Sequence, residues 1–190
     1  VGIATPIIPL FAQSLGASYT EVGLVGTSYS IIFIMFAALS GRLSDRLGRK
    51  TLILISSVLN AFAAVLYLFA GNVNEVILIR ALEGLAWAAF WPSVEALTTE
   101  IASASASGRA MGLSSASYGA GFAFGSLLGG YIAATTGYRN TFCFYFLPSM
   151  IAALTIPIWF KEVRIVNISE GDQRVTPQSS QLKVNLWKSR

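Results

Sequence analysis

Apolar positions run along this 190-residue chain in long, unbroken stretches with no period-two alternation. No charged side chain occurs in residues 1–20, 22–41, 51–74, 110–138 or 140–160, and a sixth apolar stretch, 76–99, is interrupted only by Arg80, Glu83 and Glu95. A helix needs about 20 apolar residues to cross a hydrocarbon core about 30 Å thick, and every stretch is long enough. Continuous apolar runs point to helices, not to a barrel. The pattern predicts an all-α membrane bundle over 1–160, with six transmembrane helices near 1–14, 22–40, 51–71, 76–99, 110–135 and 141–160. The first helix reads as truncated at its start. Residues 161–190, with six cations, Gly171, Pro177 and a Ser/Gln run, read as a solvated linker or tail.

Composition reinforces the membrane reading. Apolar residues make up 54% of the chain and charged ones 12%, against roughly 25% charged in ordinary soluble domains. There are too few polar residues to cover a soluble core. Lys and Arg are also unevenly placed. One set of connections carries Arg42, Arg46, Arg49, Lys50, Arg109, Lys161, Arg164, Arg174, Lys183, Lys188 and Arg190, whereas the other side has Arg139 and, just inside a helix, Arg80. Positive charge stays inside, so the 41–50 loop and the C-terminal segment are expected in the cytoplasm, with the bundle in the plasma membrane. The sequon at Asn167-Ile168-Ser169 then falls inside the cell and reads as chance. The net charge of +4 reflects topology and a lipid bilayer partner, not nucleic acid, because no basic patch is interleaved with stacking aromatics.

Little classical site chemistry is present. The chain has no His and one Cys, Cys143. An internal disulfide and Ser/His/Asp or Cys/His catalysis are therefore excluded, and neither a metal site nor a cofactor is expected. The polar residues that stand out do so by position. In the decapeptide 41–50, Asp45 is the one acid among four cations, Arg42, Arg46, Arg49 and Lys50, so it can tie them into a salt-bridge network, while Gly41 and Gly48 allow turns and close approach. A plain positive anchor would need the cations but not that Gly/Asp pattern.

Charges inside a membrane helix are costly and usually face a cavity or a partner. At about 100° per residue, Glu83 lies about −60° from Arg80, Trp87 about −20°, Trp91 about +20° and Glu95 about +60°. One face would then carry three charges and two indoles, a candidate proton-coupling or substrate-binding surface. The alternative is that Arg80 snorkels outward and Glu83 neutralises it. Glu100, near 200°, points the other way at the cytoplasmic end. Gly121, Gly125 and Gly129 form a stripe for close helix packing. Pro6 and Pro9 either break the first helix around a site or merely kink it. Gly41 precedes Gly48-Arg49 by the same seven residues that separate Gly130 from Gly137-Tyr138-Arg139, an echo that an inverted three-plus-three repeat predicts.

These motifs together resemble the major facilitator superfamily. Gly41-Arg42-Leu43-Ser44-Asp45-Arg46-Leu47-Gly48-Arg49-Lys50 is similar to its signature loop between helices two and three. Arg80-Ala81-Leu82-Glu83-Gly84 resembles its fourth-helix motif. Ala96-Leu97-Thr98-Thr99-Glu100 followed by Gly108-Arg109-Ala110-Met111-Gly112 resembles the passage from helix four to five, and Thr136-Gly137-Tyr138-Arg139 the turn before helix six. The resemblance implies the N-terminal six-helix half of a secondary transporter, built from two inverted three-helix repeats. Such a protein moves a small solute by alternating access against a second six-helix half, with a proton gradient as its energy source. It also implies a cytoplasmic gate at Gly41, Asp45, Arg46, Gly48, Arg49, Glu100 and Arg109, with Asp45 latching onto a helix of the second half. A slight lean is toward drug-efflux-like proton antiporters. Their fifth helix often carries Gly-Pro where this chain has Gly125-Ser126, which keeps the lean slight. A sugar or metabolite symporter is the runner-up, and a non-transporting sensor or scaffold the alternative of another class.

Overall fold

The computed structural model describes residues 2–102 and 106–159; the 161–190 tail lies outside the described residues. Six helices make up the fold: α1 (Ile7–Ser14), α2 (Tyr19–Leu47), α3 (Arg49–Phe69), α4 (Val73–Ile101), α5 (Ser107–Thr136) and α6 (Tyr138–Trp159). Local chemistry sets their ends. Ser18 and Glu21 cap the start of α2 reciprocally, Ser18 Oγ accepting from the Glu21 N–H and the Glu21 carboxylate accepting from the Ser18 N–H. Asn72 accepts from the Glu75 N–H at the start of α4.

The charged decapeptide is not a loop. α2 runs on through Gly41, Asp45 and Arg46, and the reversal into α3 takes a single residue, Gly48, at φ 88°. Arg and Asp side chains do not stop a helix; a left-handed backbone does, and Gly adopts it without a Cβ penalty. Gly41 makes no turn, contrary to expectation, since a Cβ on it would meet nothing within 4 Å. The joint recurs between α5 and α6, where Gly137 stands alone at φ 90°. The seven-residue echo thus corresponds to two single-glycine joints of the same backbone form.

α4 is the centre of the packing, lying against α2 on one side and α3 on another, while α6 packs on α3. Gly84 permits the first contact. A Cβ there would stand 2.5 Å from the Tyr29 carbonyl oxygen of α2. Pro92 shapes the same α2 interface further along α4. It lacks the N–H that would bond the Ala88 carbonyl, and Ser40 Oγ from α2 donates to that carbonyl instead. Ser93 Oγ adds a 3.1 Å bond to Ser44 Oγ. At the Gly137 end, Phe11, Tyr67 and Phe142 form the core, with the Tyr67 and Phe142 rings stacked at 4.6 Å. Arg139 closes that end by donating to the Leu68 and Ala70 carbonyls of α3 at 2.7 and 2.9 Å.

The prolines of the first segment do not break α1. Pro6 is its N-cap and Pro9 falls in its first turn, where no intrahelical acceptor is lost. Of the glycine stripe, Gly125 and Gly129 receive the backbone of Gly2 and Ile3, but Gly121 faces open space. The close partner is the turn that leads into α1, not a second long helix. We expect Gly84→Ala to destabilise the bundle by about 1–3 kcal/mol. Gly41→Ala, in open space, should be neutral or gain up to about 1 kcal/mol from helix propensity. Thermal melting of the full-length protein in detergent would distinguish the two, and equal melting points would rule out the close approach.

By length, hydropathy and charge, α2 and α3 are each able to cross a membrane, with windows averaging 2.0 and 2.3. On this measure, among the described residues, the six-span expectation is met by those two helices. The outside of the bundle is broadly apolar: Ile34 is 71% exposed, Leu78 70% and Leu127 73%. Water would not tolerate such a surface.

Candidate functional site

Two polar constellations occupy this frame. The first joins three helices at the Gly48 end. Arg49, the first residue of α3, donates from Nε to Glu100 Oε1 of α4 at 2.7 Å, and its Nη2 stands 3.2 Å from Asp45 Oδ1 of α2. One guanidinium therefore fastens the ends of α2, α3 and α4. Its forked donors suit two carboxylates at once, which a Lys ammonium could not serve with the same geometry. The Asp45 side chain remains 65% exposed, so it has room for another partner. Arg46 and Arg109 are exposed and take no part in an ion pair among the described residues.

The second lies in the first half of α4. Arg80 Nη1 donates to Glu83 Oε2 at 2.7 Å, and the pair is almost enclosed, with Glu83 only 2% exposed. Snorkelling is not what this Arg does. Its guanidinium carbon lies 4.6 Å from the centroid of the Tyr29 ring, a cation–π arrangement made possible by the close approach at Gly84. Glu83 has further partners that α4 alone could not reveal. Tyr67 of α3 donates to Oε2 at 3.0 Å, and the Tyr145 hydroxyl of α6 is 3.0 Å from Oε1 and 2.9 Å from Asn60 Oδ1 of α3. Arg80 Nε is the one buried side-chain nitrogen or oxygen left without a partner among the described residues.

The expected single face of α4 is divided. Glu83 turns toward α3 and α6, whereas Trp87 and Trp91 turn toward α5. There the Trp91 and Tyr118 rings meet edge-on at 4.9 Å, and Trp87 and Phe122 each lie within 6.2 Å of Tyr118. Tyr118 is 41% exposed, so the cluster presents ring surface outward. Glu95 is exposed, with no side-chain hydrogen bond or ion pair among the described residues. A spread of about 120° around a helix was wide enough to serve two neighbours.

The sequence reading missed Tyr118, Asn60, Tyr67 and Tyr145. Asn60 and Tyr67 lie seven residues apart on α3, two turns along one face, and that spacing was the available signal. Two apolar cavities, of about 330 and 220 Å³, adjoin α3. Neither is lined by Arg80, Glu83, Trp87 or Trp91, so they are separate from the polar site. No cluster of potential metal ligands exists among the described residues.

A helical bundle with a broadly apolar outside, a charged joint at one end and an enclosed ion pair suits an integral membrane protein. Residues 1–189 match the family model of the Major Facilitator Superfamily, and the chain belongs to that family, hence to the integral membrane proteins. It is 25% identical over 189 residues to the quinolone resistance protein NorA of Staphylococcus aureus, covering 99% of this chain and 47% of that one. It is 28% identical over 162 residues to multidrug resistance protein 2 of Bacillus subtilis, covering 85% and 40%. The fold is shared with the human organic anion transporter MFSD10, at a TM-score of 0.65 and 22% identity over 82% of this chain and 37% of that one. The chain thus spans about half the length, or less, of the proteins it matches.

Proposed function

We propose that the chain is the first six-helix half of a proton-driven secondary transporter that exports small amphiphilic solutes across the plasma membrane by alternating access. In this reading all six helices span the bilayer as two inverted three-helix repeats, with the Gly48 end in the cytoplasm. The observation that carries it is the Arg80–Glu83 pair, enclosed in the first half of α4 beside an exposed aromatic surface. Buried charges in a membrane are retained where they move ions or solutes.

The parts divide the work. Trp91 and Tyr118, backed by the buried Trp87, offer ring surface to a planar solute, and quinolone and multidrug resistance in the names of relatives favour such a solute. That surface is made of aromatic rings without charge, with only indole N–H groups and one hydroxyl as donors, which suits a flat apolar body better than a sugar. Glu83 takes up and releases the coupling proton, with the exposed Glu95 as a second acid nearer the solute. Arg49, with Asp45 and Glu100, holds the cytoplasmic ends of α2, α3 and α4 together, and exposed Asp45 meets the second half when the cytoplasmic side closes.

The test is transport by the full-length protein in vesicles with an imposed pH gradient, read with a fluorescent planar cation. Glu83→Gln should abolish gradient-driven accumulation yet retain solute exchange without a gradient, because Gln keeps the shape and loses the proton. Undiminished accumulation in a Glu83→Gln/Glu95→Gln double variant would remove both acids from the coupling role.

A further inference from the structure

Tyr145 has one hydroxyl proton and two acceptors. Its oxygen is 2.9 Å from Asn60 Oδ1 and 3.0 Å from Glu83 Oε1. The Asn60 amide cannot be turned to relieve this, because its Nδ2 donates to the Ser56 carbonyl at 2.9 Å, and a flipped amide would set two acceptors against each other. Glu83 Oε2 is already served, by Arg80 Nη1 and by the Tyr67 hydroxyl. With Glu83 ionised, the group is one hydrogen short: Oε1 or Asn60 Oδ1 lacks a donor. All of these residues except Arg80 are less than 9% exposed, and an unsatisfied buried acceptor is costly.

Adding one proton closes the count. Glu83 Oε1–H donates to Tyr145 Oη, the Tyr145 proton turns to Asn60 Oδ1, and Asn60 Nδ2–H continues to Ser56 O. An O–H bond forms at Glu83 as one breaks in the hydronium ion that delivers the proton, and every acceptor in the row has a donor. We propose that Asn60, acting through Tyr145, is a positioning residue that reserves Glu83 Oε1 for the coupling proton.

The inference rests on the reading of Glu83 as the proton carrier and deepens it. The proton is held on the α3/α6 side of α4 and the aromatic surface lies on the α5 side, so proton and solute do not compete for the same carboxylate. The groups facing Glu83 are Arg80 on its own helix, Asn60 and Tyr67 from α3 and Tyr145 from α6, with Tyr29 of α2 against Arg80. The seat of Arg80 over the Tyr29 ring leaves it a partner when the carboxylate is neutralised.

The experiment is infrared difference spectroscopy of the full-length protein in lipid across pH, beside gradient-driven transport. Acidification should bring up a carboxylic-acid carbonyl band that is missing in Glu83→Gln; a band that persists there overturns the proposal. Asn60→Leu keeps the shape but frees the Tyr145 proton for the carboxylate. The band should then appear about one pH unit lower, a tenfold loss in proton affinity, and the pH profile of transport should move with it. In a Tyr145→Phe background Asn60→Leu should cause no such shift, as the two act in series. Tyr145→Phe alone should move the band to the frequency of an acid without an acceptor. An unshifted midpoint in Asn60→Leu, the same shift without Tyr145, or an unmoved band in Tyr145→Phe overturns the assignment. Transport that survives Glu83→Gln overturns the coupling reading instead, and the band still reports where the proton sits.

Discussion

An Arg80→Leu protein is expected to lose about 3–5 kcal/mol of stability, the cost of stranding an enclosed carboxylate without its cation. Glu83 would keep the Tyr67 and Tyr145 hydroxyls, but neutral donors do not replace a guanidinium at 2.7 Å. The compensating change is specific. An Arg80→Leu/Glu83→Leu double variant should recover most of the lost stability, because apolar side chains of similar volume often match or exceed a buried ion pair. It should not recover gradient-driven transport. Thermal melting in detergent and vesicle transport, measured on the same three proteins, separate the two effects. If the double variant melts as low as Arg80→Leu, the pair is not the source of the loss.

Arg49→Ala carries the second large effect. One side chain bonds two helices to a third, so its removal undoes both fastenings together, and each carboxylate loses a charge-assisted bond. About 1.5–3 kcal/mol is at stake, concentrated at the Gly48 end. Arg49→Lys should rescue only part of it, since a point charge reaches Glu100 or Asp45 without the fork that suits both. Hydrogen exchange should rise in the last turns of α2 and α4 in Arg49→Ala and leave the Phe11–Phe142 core unchanged. Uniform exchange across the bundle would mean that the three ends are not held by this residue.

The charge-free runs located the helices because a bilayer-sized apolar stretch has few other uses. They placed the ends poorly. α2 extends seven residues beyond the expected stop at 40, since charged side chains at its end are compatible with helical backbone and only Gly48 is not. In the candidate site, Arg80 with Glu83 was legible from a three-residue spacing, and Arg49 with Asp45 from the lone acid among cations. The division of the α4 face was not legible. Whether Glu83 looks toward α6 or α5 depends on which helix arrives on each side, and no pattern within α4 records that. Tyr145 lies 62 residues from Glu83, in a run rich in apolar residues where a tyrosine passes for packing.

The single-glycine joints decide which helices have room to move. Gly48 welds α2 to α3 and Gly137 welds α5 to α6, with no residue to spare in either connection. Of α2 to α6, α4 alone meets no single-glycine joint at either end. Its height in the bundle is therefore set laterally, by Ser40 on the carbonyl that Pro92 leaves open, by Ser93 on Ser44 and by Arg49 on Glu100. The ion pair sits on the one helix of α2 to α6 that no single-glycine joint holds, much as a key rides on a shaft held only by its neighbours.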